Sequence, residues 1–326
     1  MTGRYEHVLG FALSHPWAVM PEMLSMIASI LARRIAGQEV DRAEIEAALV
    51  NRKNLPQPRA GSIAIIPVYG VIAPRMNLMS EMSGGTTFEK LSSQLREVVA
   101  NKAISTIVLD VDSPGGSVAG NAEFVSEIMR ARTKKPVIAV AKYLMGSAAY
   151  HLSAAATEIV AEPSAHVGSI GTYMIHNDLS EALKQLGVKR TFISAGEGKV
   201  DGNSAEPLSE QAHARMDALV DDAFGQFVSN VVKGRGQGMT SERVRKEWKA
   251  HVYTATEALS LGMIDKIGTL DETVARLLSA SPEADDQRAA LDFGSTADTP
   301  QEPSPATGQD RLSELALERQ MFELQL

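Results

Sequence analysis

The sequence predicts an α/β fold built around a mostly parallel β-sheet. Between residues 62 and 280, apolar segments of strand length alternate with amphipathic segments that have the period of a helix. This alternation is typical of βαβ units, whose parallel strands are joined by right-handed crossovers. The run at 104–111 is apolar on both faces, which indicates a strand buried on both sides of the sheet.

Hydrophobic period and turn residues define the individual elements. Residues 63–72 form one bent strand or a strand pair, because Pro67 limits pairing. The other predicted strands are 104–111, 136–141, 158–161, 167–175, 188–193 and 263–267. Helices are predicted within 16–50 and at 87–100, 118–132, 148–154, 178–186, 209–233, 241–249, 253–262 and 270–279.

Composition divides the chain into three parts. Residues 1–60 form an N-terminal helical extension, which ends in a linker rich in proline and glycine. Residues 61–280 form the main domain. Residues 281–326 form a tail with few apolar residues at first, which predicts a disordered linker, followed by a short terminal helix.

Charge and residue usage exclude several classes of function. The net charge of −8 argues against general nucleic-acid binding. With no cysteine in 326 residues, disulfides, thiolate nucleophiles and cysteine-ligated zinc are excluded, and the histidines do not form a metal cluster by spacing. We expect no transmembrane span and no secretory signal, hence a cytoplasmic protein without metal or cofactor.

Ser147 is the candidate nucleophile, because it lies where the apolar strand 136–141 gives way to a helix of small residues. For a lone serine at this place, a helix N-cap is the simpler interpretation. A serine hydroxyl needs a base, and two candidates follow later in the chain. Lys199 lies in a glycine-flanked loop and needs burial to lower its pKa, whereas His176 follows the strand 167–175.

A glycine turn follows the buried strand 104–111. Its sequence is Ser113-Pro-Gly-Gly116, in which proline sets the turn and two glycines let backbone N–H groups point outward. Fixed N–H donors are what an oxyanion hole requires. The turn precedes Ser147 by one βα unit, and this position makes the oxyanion interpretation stronger than the turn alone would.

Four ordered motifs together resemble the signal peptide peptidase A family of serine peptidases, over about residues 61–280. Within it, the chain looks most like phage and prophage head-maturation (capsid assembly) proteases of the lambda type. The motifs are Ser113-Pro-Gly-Gly116, Ser147-Ala-Ala-Tyr150, Val167-Gly-Ser-Ile-Gly171 and Gly198-Lys-Val-Asp-Gly-Asn203.

This resemblance implies a Clp protease/crotonase-like fold of ββα spiral units and a serine–lysine dyad. Ser147 would be the nucleophile and Lys199 the general base, with Ser169 orienting the lysine. Gly116 and Ala148 would supply the oxyanion N–H groups. Many relatives have glycines after the nucleophile where this chain has alanines.

The resemblance also implies a homo-oligomeric ring that acts on capsid or scaffold proteins in the host cytoplasm or procapsid, with neither nucleic acid nor membrane as a partner. Three alternatives stay open at this point. They are a Clp-type peptidase with His176 as base, a crotonase-type acyl-CoA enzyme that needs no serine, and a non-catalytic head-assembly scaffold protein.

Overall fold

The computed structural model describes residues 16–26, 29, 63–75, 85–236 and 238–280. The chain divides into two units, Met1–Ser281 and Pro282–Leu326, and the second lies outside the described residues. The tail predicted at 281–326 and most of the extension predicted at 1–60 therefore also lie outside them.

Eleven strands are present in the described residues. They are β1 (Trp17–Val19), β2 (Ile63–Tyr69), β3 (Ile72–Ala73), β4 (Thr86–Thr87), β5 (Thr106–Ser113), β6 (Gly115–Ser117), β7 (Val137–Gly146), β8 (Glu158–Ala161), β9 (His166–Gly168), β10 (Val252–Thr254) and β11 (Lys266–Ile267).

The helices among the same residues alternate with these strands. They are α1 (Phe88–Ala100), α2 (Asn121–Ala131), α3 (Ala148–Ser153), α4 (Ser180–Gln185), α5 (Glu210–Arg235), α6 (Ala255–Ser260) and α7 (Leu270–Ser279), with a π-helix at Arg243–Trp248.

The strands form two sheets. The larger has the order β10-β9-β7-β5-β2, and β8 and β11 extend it beside β7. Its central pairs, β2 with β5 and β5 with β7, are parallel. The smaller sheet has the order β1-β6-β3-β4. The predicted α/β class with a mostly parallel sheet is therefore confirmed.

The described chain contains two successive ββα units. In each, a long strand of the large sheet leads into a short strand of the small sheet and then into a helix: β2, β3 and α1, then β5, β6 and α2. Helix α1 begins at Thr87, whose hydroxyl accepts from the Lys90 N–H. The apolar faces of the helices pack on the large sheet to form one core, which includes Phe88, Leu91, Leu109, Phe124, Ile128 and Phe227.

Three predicted elements differ from the structure. Residues 17–19 were expected to be helical but form β1, because they pair with β6. The strand expected at 167–175 ends at Gly168, because Ser169 takes a φ of 56° that a strand does not permit. Residues 188–193 form no strand and are exposed, since nothing in the described chain pairs with their backbone as a sheet edge.

Candidate active site

Ser147 occupies the sharp corner between β7 and α3. Its φ of 52° and ψ of −116° are unusual for a residue with a side chain, and strain of this kind costs about 1–3 kcal/mol. The Ser147 N–H donates to the Gly168 carbonyl at 2.7 Å, and the His151 N–H donates to the Ser147 carbonyl at 2.9 Å. These bonds hold the strained corner in place.

The Ser147 hydroxyl does not cap the helix that follows it. It makes no capping hydrogen bond to α3. The partner that the described residues offer it is the Gly171 carbonyl, at 3.5 Å, which is too long for a strong hydrogen bond. The interpretation as a simple N-cap is therefore wrong, and a buried hydroxyl is left for other chemistry.

The glycine turn lies directly against Ser147. Gly115 has a φ of 105°, and a Cβ built on it would lie 2.9 Å from the Ser147 Cβ and 3.0 Å from the Ala148 nitrogen. A Cβ on Gly116 would lie 2.0 Å from the Ile72 carbonyl oxygen. Neither contact leaves room for a side chain, so both glycines are needed for the backbone to approach this closely.

Ser113 fixes the start of this turn. Its hydroxyl donates to the Gly70 carbonyl at 2.6 Å and accepts from the Gly115 N–H at 3.2 Å. Buried contacts thus fix the positions of the backbone N–H groups of the turn before any ligand binds, as an oxyanion site requires. The structure brings together Ser147, Ala148 and the turn, as the sequence predicted.

Asn121 is a site residue that the sequence analysis missed. It is 1% exposed, and its Nδ2 donates to the Ala148 carbonyl at 3.3 Å. Its Oδ1 is buried and has no hydrogen-bond partner in the described part of the chain. A buried amide of this kind fixes the first residue of α3 and leaves one acceptor unused. An asparagine near the start of a predicted helix gave no signal of this role.

The two other predicted residues lie farther along the chain. Ser169 has a φ of 56°, and its N–H donates to the His251 carbonyl at 2.7 Å. Lys199 lies in an exposed turn, where its N–H donates to the Gly196 carbonyl at 3.3 Å. Within the described ranges, no hydrogen bond joins the Lys199 amine to Ser147 or to Ser169.

The histidines have other contacts. The His176 Nε2 lies 3.1 Å from the Asn203 carbonyl. His151 is buried, stacks on the Phe227 ring at 4.2 Å between centroids, and lies 3.1 Å from the Asn230 amide nitrogen. Burial lowers the pKa of His151 to about 3, so its imidazole stays neutral and packs in the core.

No cluster of metal-ligating side chains occurs among the described residues. None of the helices in that part of the chain is long and apolar enough to cross a membrane.

The sequence comparisons match part of the chain to a family of peptidases. Residues 129–281, which contain Ser147, Ser169 and Lys199, match the sequence profile of Peptidase family S49. The chain is 32% identical over 205 residues to capsid assembly protease C of Escherichia phage lambda, which covers 63% of this chain and 46% of that protein.

A second phage protein and one solved structure are also similar to parts of the chain. The head-tail preconnector protein of Enterobacteria phage P21 is 29% identical over 67% of this chain and 43% of that protein. The chain thus spans less than half the length of either phage relative. A solved structure of the 1510-N membrane protease specific for a stomatin homolog from Pyrococcus horikoshii is 13% identical, with a TM-score of 0.39 over 67% of this chain and 79% of that one.

Proposed function

We propose that this chain is a serine endopeptidase with Ser147 as nucleophile, on the basis that its residues 129–281 match the sequence profile of Peptidase family S49. The observation that supports this most directly is the strained corner at Ser147. Its hydroxyl is buried, caps no helix and lies against a turn that only glycines fit. Strain of this kind is concentrated at functional sites.

In the proposed mechanism, Lys199 is the general base. Its neutral amine takes the proton of the Ser147 hydroxyl while Oγ forms a bond to the carbonyl carbon of the substrate. The Gly116 and Ala148 N–H groups stabilise the resulting oxyanion. When the C–N bond breaks, the amine leaving group takes the proton from Lys199. Water then hydrolyses the acyl-enzyme by the same route, with Ser169 orienting the lysine.

The base has to be brought to the nucleophile, and the segment that precedes Lys199 exposes several apolar side chains. Leu186 and Ile193 are 76% and 99% exposed, and Val188 and Phe192 are exposed as well. A run of exposed apolar side chains marks a surface that another chain covers. We propose that copies of this chain assemble over it into a ring, and that this assembly brings the Lys199 amine to Ser147.

The phage relatives supply the proposed substrate. The name of one is capsid assembly protease, and that of the other is head-tail preconnector protein. On this basis we propose that the chain cuts capsid or scaffold proteins during head maturation, in the host cytoplasm or the procapsid. Nucleic acid and membrane are not proposed partners.

Cleavage of an unfolded protein substrate tests the dyad. Because nucleophile and base act as a unit, Ser147→Ala and Lys199→Ala should each lower kcat by about 1,000-fold or more. Lys102→Ala removes an exposed lysine from outside the segment 186–203 and serves as the matched control, with activity unchanged. Loss of cleavage in His176→Ala but not in Lys199→Ala would replace the dyad with a serine–histidine pair.

A further inference from the structure

Strand β1 lies in a groove between two other backbones beside Ser147. On one side it pairs antiparallel with β6, with Ala18 opposite Gly116 and Val19 opposite Gly115. On the other side, the Trp17 N–H donates to the Tyr173 carbonyl at 2.9 Å and the Tyr173 N–H donates to the Trp17 carbonyl at 3.0 Å. We call the space between β6 and Tyr173 the strand groove.

In this register, the backbone N–H and C=O groups of Ala18 point toward the candidate oxyanion site. Successive residues of a strand direct their N–H and C=O groups to opposite sides. Trp17 bonds to Tyr173 and the Met20 N–H donates to the Pro114 carbonyl at 3.1 Å, so the groups of Ala18 face Gly116. The Ala18 oxygen lies 2.3 Å from the point where a Gly115 Cβ would sit, and that point is 2.9 Å from the Ser147 Cβ.

A small closed cavity adjoins Ala18. Its volume is about 10 Å³, and its walls include Asn121, His151, Phe227 and Ala18 itself. A space of this size holds at most about one water molecule or one small group. The cavity therefore fits an alanine in the strand groove and has no room for a long side chain. The unused Oδ1 of Asn121 belongs to a residue of the same cavity.

We propose that the strand groove is where the peptidase binds an extended substrate, and that Trp17–Val19 fills it in the register of a substrate with Ala18 at the oxyanion site. This inference rests on the proposed function. It adds that β1, a segment of the same chain, competes with the substrate for the strand groove. Another protein reaches Ser147 only after β1 leaves the groove. Since β1 contributes all its backbone pairing to the groove, a peptide that replaces it recovers the same hydrogen bonds.

A reversible crosslink tests this directly, because the chain has no native cysteine. Trp17 faces Ser117 across β1 and β6, and its backbone groups point to Tyr173. The two residues thus form a non-hydrogen-bonded pair, whose Cα atoms lie about 4.5 Å apart, within disulfide range. The variant carrying Trp17→Cys and Ser117→Cys should lose at least about tenfold in cleavage rate when oxidised, because a tethered strand competes at very high effective concentration.

Reduction should restore the rate of the double variant, and each single cysteine variant should be insensitive to oxidant. A rate that stays the same when the disulfide has formed, as shown by mass spectrometry, would overturn the proposal while leaving the peptidase assignment in place. If the reduced protein and the unaltered chain both fail to cleave and to react at Ser147, the proposed function itself fails.

A second variant should release the strand. Ala18→Arg places a long charged side chain against a cavity that cannot hold it, so cleavage of an unfolded substrate should become several-fold faster. Ser25→Arg adds the same side chain at an exposed position outside the groove and should leave the rate unchanged. Slower cleavage by folded Ala18→Arg protein, with Ser25→Arg normal, would mean that β1 supports the site and does not compete for it.

Discussion

At the scale of single residues, the account depends on how closely the turn before β6 approaches Ser147. Gly115 has a positive φ and lies where a Cβ would touch the Ser147 Cβ and the Ala148 nitrogen. Both the conformation and the space favour glycine. The strain at Ser147 and the lack of space at Gly115 are therefore two parts of one arrangement.

Gly115→Ala should abolish proteolysis, because the new methyl group has to displace the backbone that forms the oxyanion site. Gly236→Ala is the matched control: Gly236 has a φ of 75° and a ψ of −143° with open space around it, so alanine there meets only backbone strain, about 1–3 kcal/mol. Cleavage assays on folded protein should show loss only in Gly115→Ala. Equal activity in the two variants would contradict the geometry described for the turn.

Sequence reasoning identified the corner serine and the glycine turn, because strand–turn–helix order places both at one sheet edge. It could not find Asn121, since a buried contact to the Ala148 carbonyl depends on how α2 packs on α3. It named Lys199 through a resemblance, and the exposed turn at Lys199 leaves that role a prediction.

At the scale of elements, α5 docks closely on the end of α3. A Cβ on Gly234 would lie 2.0 Å from the Ala154 carbonyl oxygen. One nitrogen of Arg132 donates to the carbonyls of Ala155 at 3.1 Å and of Gly234 at 2.9 Å. This contact joins the C-terminal ends of two helices and thereby supports the corner that precedes α3.

Gly234→Ala should destabilise the protein by about 1–3 kcal/mol, because the helix has to move away from α3. Gly225→Ala lies in the same helix, and its nearest neighbour is the end of the Arg245 side chain at 3.9 Å. It should stabilise the protein by about 0.5–1 kcal/mol through helix propensity. Urea unfolding of both variants measures the difference, and two shifts of the same sign would contradict this packing.

Elements with unbroken apolar runs were predictable, and elements defined by their partners were not. The helix at 270–279 was predicted and is observed with a capping box between Thr269 and Glu272. By contrast, the apolar segment 17–19 has no period that distinguishes strand from helix, and β6 decides its state. Segment 188–193 contains the strand-forming residues Val188, Thr191, Phe192 and Ile193, yet the described chain offers it no strand to pair with.

At the scale of the whole molecule, a partly buried ion pair connects the end of α5 to the large sheet. Arg235 donates to both carboxylate oxygens of Asp265, at 2.6 and 2.9 Å, and the Ile159 N–H donates to the same group at 2.7 Å. Burial opposes ionisation of Asp265, but these hydrogen bonds and the Arg235 charge outweigh it and lower the pKa of the carboxyl below its ordinary value.

A lowered pKa has a definite consequence for stability. The pair stabilises the fold above the ordinary aspartate pKa of 3.8 and is lost as the pH falls through the lower folded value. Asp265→Asn should therefore lower the melting temperature at pH 7, and the gap to the unaltered chain should shrink below about pH 4. Thermal unfolding across that range checks this, and a gap that does not change with pH would contradict it.

The exposed apolar segment predicts assembly. Ile193→Glu places a charge on a side chain that is 99% exposed in the single chain, so the fold should be unaffected. If copies cover this segment, light scattering should show a smaller particle and proteolysis should fall with it. Glu181→Gln, at an exposed position on α4, should change neither. An unchanged particle mass in Ile193→Glu would remove this segment from the interface.

The most direct test of the central claim is to label the full chain with a fluorophosphonate and map the modified residue by mass spectrometry. The account predicts a single adduct on Ser147, formed more slowly in Lys199→Ala and at the normal rate in Lys102→Ala. An adduct on another serine, or none on Ser147 in folded and assembled protein, would contradict it.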